Sequence, residues 1–190
     1  REGDVLGTVW VYAVRTVRPQ VTSSYLDVNF WFVGTPELSA QSAQTSSKFN
    51  KLRNKFVEIM ADFDVTVSQV NYFDVVGVAA SKYTYVDVGD EGYVVDEHAE
   101  LVALSSNLPD DNRGANFFLV QGFNGYSLLG KAGGIPGPPL LQGSYHSGVV
   151  VSMSDYYWYG SNKAAKLVSE TMAHELGHQL GLFHTTESDG

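Results

Sequence analysis

Five residues in this sequence have the types and the spacing to do metal chemistry. They are His174, Glu175, His178, Gly181 and His184, which stand as HExxHxxGxxH within HELGHQLGLFH, residues 174–184. On a helix, His174 and His178 lie four positions apart and project from one face, one turn above the other. Two neutral imidazole nitrogens are then within reach of one small cation. Glu175 follows the first histidine and points elsewhere, which suits it to touch a metal-bound water rather than the metal. Gly181 lets the backbone take a positive φ and leave the helix. The chain then turns back and offers His184 as a third ligand. Three protein ligands with one open position is the arrangement of catalytic zinc, whereas structural zinc sites are closed by four. An ordinary buried helix that happens to carry histidines is the alternative for a bare HExxH. The added glycine and third histidine set it aside.

The elements that must position these residues can be read from periodicity. Val168, Met172, Leu176 and Leu180 recur at steps of four, a packing stripe on the helix face turned away from the histidines. Ser161 or Asn162 can cap that helix. Residues 148–153 (GVVVSM) form the short continuous apolar run of a central parallel strand covered on both faces. Residues 5–17 and 25–33 are rich in β-branched and aromatic side chains and predict two strands. At 40–62 the period changes. Phe49, Leu52, Phe56, Ile59, Met60 and Phe63 recur at three and four and predict one amphipathic helix, with Lys48, Lys51, Arg53 and Lys55 on its solvated face. Residues 65–73 return to alternation, and the strand–helix–strand order implies a right-handed crossover and a parallel pair. Residues 116–120 (NFFLV) read as a buried strand, and 97–104 and 109–112 as a short helix and a turn. A glycine-interrupted strand is expected at 128–135, since glycine in a strand suits the close approach of another backbone. The tyrosine-rich run at 154–160 reads as packing and cleft wall. His98 is read as a surface residue. His146 is left out of the ligand set, because the three motif histidines suffice.

Composition excludes several classes. A chain of 190 residues fits one domain spanning 1–190, with residues 1–20 as an N-terminal extension strand. Hydrophobic residues at 44% and aromatics at 13% indicate a globular fold rather than disorder. A net charge of −9 argues against nucleic acid and anionic membranes as partners. No apolar run approaches the roughly 18 residues of a membrane span. There is no cysteine, hence neither a disulfide nor a thiolate ligand. The sequence starts at Arg1 rather than methionine, so it is expected to be a processed or excised piece, and the lack of a signal peptide carries no information. The acidic loop at 87–100 offers hard oxygen ligands that can hold calcium. Its spacing matches no EF-hand loop, and a solvated acidic loop is the preferred reading.

Through HExxHxxGxxH the sequence resembles the metzincin metallopeptidases. Thr185 and the GVVV strand look most like the pappalysin group. The resemblance covers roughly residues 20–184 and implies an α/β fold, the metzincin-like upper subdomain. That subdomain is a twisted mixed sheet, mostly parallel with one antiparallel edge strand, with a backing helix and a zinc-binding active-site helix. It also implies a protein or peptide substrate and a secreted or extracytoplasmic location. In this family the antiparallel edge strand forms the upper rim of the cleft and pairs with extended substrate by strand addition. Gly130, Lys131, Ala132 and Gly133 are then the substrate-binding residues, a flexible surface loop being the alternative. Family members continue into a lower subdomain with a methionine turn beneath the zinc. Met60, Met153 and Met172 all precede His184, so that subdomain, like any propeptide with a cysteine latency plug, is expected outside this chain. A tyrosine that assists the transition state in some members follows that turn, and no tyrosine here inherits the role.

The implied reaction is hydrolysis of peptide bonds by a zinc metalloendopeptidase. Zinc on His174, His178 and His184 activates a water, and Glu175 serves as general base. The rival is a non-catalytic zinc-containing fragment that recognises peptide along its edge. An intact Glu175 favours the enzyme, since a binding module has no need of that base.

Overall fold

The computed structural model describes residues 24–88, 97–109, 112–125, 127–138 and 141–184. The strand expected at 5–17, Thr185 and most of the acidic loop lie outside the described residues. In chain order the elements are β1 (Ser24–Val33), α1 (Ala40–Thr45), α2 (Ser47–Ala61), β2 (Val65–Val75), α3 (Gly77–Lys82) and β3 (Tyr85–Val86). Then come α4 (Glu97–Val102), a 3₁₀ turn at Ala103–Asn107, β4 (Ala115–Val120), β5 (Gly122–Phe123), β6 (Gly130–Ala132), β7 (Val149–Ser152), α5 (Ser154–Trp158) and α6 (Ser161–Gln179).

Five strands form one sheet in the order β2-β1-β4-β7-β6. The first four are parallel, and β6 runs antiparallel to β7 at the edge. This is the expected mixed α/β sheet. Strand alternation divides its apolar residues between two layers. Val28, Phe30, Phe32, Phe117, Leu119, Val149 and Val151 face α2 and α6, packing on Phe49, Leu52, Phe56, Val168, Met172 and Leu176. Trp31, Val33, Phe118, Val120 and Val150 face the other way, onto Tyr83, Leu101, Val102 and Leu108. β7 is buried on both faces, as its unbroken apolar run requires.

Four expectations about these elements need correction. The helix predicted over 40–62 is two helices, because Ser46 adopts extended dihedrals and its side chain accepts from the Phe49 amide to start α2, as Ser39 starts α1. Phe63 leaves the apolar stripe: α2 stops at Ala61, Asp64 takes a φ of 58°, and the Phe63 ring is exposed. Neither Ser161 nor Asn162 caps α6. Gly160 holds the cap position without a side-chain bond, and its carbonyl accepts from the Ala164 amide. In the stripe along α6, Val168, Met172 and Leu176 are buried, while Leu180 falls on the C-cap and is exposed.

Candidate metal and active site

The C-terminal end of α6 positions the histidines. Gly181 takes a φ of 101°, open to glycine alone without strain. The Gly181 amide bonds the His178 carbonyl at 2.8 Å, and the Leu182 amide bonds the Gly177 carbonyl at 2.9 Å. These two bonds are a Schellman closure, which satisfies helix carbonyls while reversing the chain. The reversal has two products. It carries His184 back over His174 and His178, and it turns the Leu182 carbonyl onto His178, whose Nδ1 lies 2.7 Å away.

The three Nε2 atoms form a triangle with every side 3.0 Å. In a neutral His178 ring, Nδ1–H donates to the Leu182 carbonyl and leaves Nε2 as a bare lone pair. Burial, then the neighbouring His178 and His184, lower the pKa of His174 and favour its neutral form. Three lone pairs converging in this way repel unless a cation sits among them. A tetrahedral ion with bonds of about 2.0–2.1 Å would set its nitrogens about 3.3 Å apart, within a few tenths of an ångström of the triangle. The donor set therefore fits a small divalent ion. It is the one group of three or more histidine, aspartate or glutamate side chains, among the described residues, with this convergence.

Glu175 lies on the β6 side of α6, 8% exposed. Burial raises its pKa, against the opposing pull of His178, a hydrogen bond from the Ala132 amide, and His184. Gly130 packs directly on it: a Cβ there would stand 2.5 Å from Glu175 Cγ and 2.9 Å from Oε1. A cavity of about 430 Å³ opens between β6 and α6, lined by Leu128, Leu129, Gly130, Thr171, His174 and Glu175. The carboxylate and the first histidine thus share one recess under the edge strand.

The register of β6 divides the four expected rim residues. Lys131 pairs with Val150, the Ser152 amide bonds the Leu129 carbonyl at 2.8 Å, and the Gly133 amide bonds the Gly148 carbonyl at 2.9 Å. Odd-numbered residues therefore direct their backbone groups to β7, and Gly130 and Ala132 direct theirs to the open edge. Lys131 and Gly133 do not offer the free backbone expected of them. The Ala132 amide is already engaged by Glu175, and Gly130 remains with its groups turned outward.

His98, expected at the surface, is 3% exposed, with Nε2 3.1 Å from the Lys131 carbonyl. It braces β6 from behind and is the site-supporting residue that sequence reasoning missed. His146 is no ligand: its Nδ1 contacts the Gly133 carbonyl, and its own carbonyl accepts from Gln179 Nε2 at 2.8 Å. The first contact closes the segment between β6 and β7 on itself, and the second ties it to α6.

Residues 54–185 match the sequence model of the reprolysin-like metallopeptidases of family M12B. This chain belongs to that metallopeptidase family. Two crystal structures of archaemetzincins are similar to this chain, and the fold agrees with the first of them. That from Methanopyrus kandleri is 15% identical with a TM-score of 0.50, over 89% of this chain and 79% of the other. That from Archaeoglobus fulgidus is 14% identical with a TM-score of 0.49, over 85% and 82%. No curated protein sequence matches the chain. Among the described residues, no helix is long and apolar enough to cross a membrane.

Proposed function

We propose that the protein is a zinc-dependent endopeptidase of the metzincin type in which Glu175 is the general base. The carrying observation is the triangle of His174, His178 and His184 nitrogens beside one buried carboxylate. These three side chains would hold the ion, and the Leu182 carbonyl fixes the orientation of one of them. When bound there, zinc supplies Lewis acidity, polarising a peptide carbonyl and bringing the pKa of a water from about 15.7 towards about 7.

Glu175 accepts that water's proton and returns it to the leaving amine, so one carboxyl group serves both halves of the reaction. Its raised pKa favours this exchange, because a base nearer neutrality gives the proton back more readily. The Ala132 amide and the Gly130 backbone hold the carboxylate from the β6 side. The outward backbone of Gly130 takes an extended peptide by strand addition, which lays the scissile bond along the recess. The likeness to the pappalysin group rests on Thr185 and the β7 residues and is part of the same proposal, as is a secreted or extracytoplasmic location. The rival reading as a peptide-recognition module leaves Glu175 without work beside the histidines.

The experiment is cleavage of an unfolded polypeptide by the longest natural chain carrying this sequence, before and after chelation. Activity that disappears with chelator and returns with one equivalent of zinc is the expected result. Cleavage that survives complete metal removal contradicts the proposal.

A further inference from the structure

The catalytic recess does not end at β6. Leu128 and Leu129, which precede β6, are partly exposed and line the cavity that holds His174 and Glu175. With Ser127, the same two residues also line a second cavity of about 700 Å³. This second cavity lies at the carboxyl ends of β1, β4 and β7, where Pro36, Gln121 and Ser152 contribute to its wall. Its aromatic lining comes from Tyr85, Phe123, Tyr157 and Trp158. Trp158 is 83% exposed and Tyr85 is 49% exposed, so two large rings are offered to solvent at its mouth. Glu37 is its one charged lining residue among the described residues.

The two cavities share a wall of three consecutive residues, so a peptide laid along the edge of β6 passes over Leu128 and Leu129 from one into the other. Gly130 faces Glu175, and each strand residue advances about 3.4 Å. The shared wall ends at Ser127, three residues along the chain from Gly130, which sets about three residues as the expected offset of the recess from the scissile bond. We infer that this recess is a remote specificity pocket that takes a bulky aromatic side chain of the substrate. The inference rests on the peptidase reading for its occupant, and on the continuity of the two cavities for its place.

Two peptide series test it, identical except that one phenylalanine or one alanine occupies each position up to five residues on either side of the cleaved bond. The parent should prefer phenylalanine about tenfold in kcat/KM at one position, about three residues out on one flank, as about 1.4 kcal/mol of apolar burial supplies. In Trp158→Ala the phenylalanine-to-alanine ratio should fall towards one. In Val78→Ala, equally exposed on α3 but outside the recess, the ratio should persist. A parent with no remote preference overturns the inference, and so does a Trp158→Ala variant that keeps it. Binding of the same labelled peptides to Glu175→Gln, read by fluorescence anisotropy, separates this failure from failure of catalysis. Should no form cleave, the peptidase reading fails, while a phenylalanine preference in binding that Trp158→Ala abolishes still upholds the pocket. Equal binding of both series overturns it.

Discussion

Gly130 and Glu175 are in such close contact that a single methyl group on Gly130 would stand 2.5 Å from Glu175 Cγ. Non-bonded carbons essentially never stand that close, so the observed packing of the edge strand on the carboxylate calls for glycine at this position. Gly130 is a positioning residue. Gly130→Ala should displace the Glu175 carboxylate by a sizeable fraction of an ångström and lower kcat about 100-fold, as small misplacements of reacting groups do. Zinc content should stay near the parent value, because the histidines do not touch this contact, while the thermal midpoint should fall as β6, Glu175 and Thr171 give way to the added methyl. Retention of full kcat would show that Glu175 adapts freely or does not act as the base.

The histidine triangle predicts one zinc per chain. His178→Ala removes one Nε2 and the ring anchored on the Leu182 carbonyl, so metal content should fall well below one equivalent. Metal analysis after dialysis against a weak chelator reads this directly. Unchanged stoichiometry in the variant would remove His178 from the ligand set.

The metal-free protein should lose stability on mild acidification. Burial lowers the pKa of His174 below its ordinary value of 6.5, with His178 and His184 adding to the effect. A group whose folded pKa is depressed contributes stability above its unfolded pKa, and that contribution is lost as pH falls through the folded value. The urea midpoint of the chelated protein should therefore decline below about pH 6.5. In His174→Gln, which cannot take up that proton, the decline should be shallower. Identical declines would mean that other groups govern this range.

His98 should be structural support for the edge strand. His98→Ala leaves the Lys131 carbonyl without that bond and empties a buried site, at a cost of about 2 kcal/mol. Amide exchange in β6 should speed up while the His174–His178 turn of α6 stays protected. An unchanged urea midpoint would contradict the bracing role.

How much of this was legible from residues alone differs by element. The zinc motif was, because its ligands sit within one helix and one turn, and glycine at 181 announces the reversal. β1, β4 and β7 were too, since their alternation or unbroken apolarity follows from which faces are covered. The break at Ser46 was readable in principle: serines at 39 and 46 each stand three residues ahead of the amide they cap. The apolar stripe, Phe49 to Phe63, lies wholly after Ser46 and so did not mark the join. His98 was not legible, because its partner Lys131 is 33 residues away and the segment around it has no periodicity. Gly130 was half legible. A glycine in a strand signals close approach, but only the folded register shows that the neighbour is Glu175 rather than substrate.

Glu175 is where catalysis and mere peptide recognition separate. Glu175→Gln keeps the size of the side chain and an oxygen for the Ala132 amide, yet cannot take a proton from water near neutrality. The decisive measurement is the hydrolysis rate of an unfolded polypeptide by parent and Glu175→Gln protein at equal zinc occupancy, using the longest natural chain. The expected result is a fall of about 10²–10⁴-fold in kcat with zinc and peptide affinity retained. Equal rates in the two forms would contradict the assignment of Glu175 as the base, and with it the proposed mechanism.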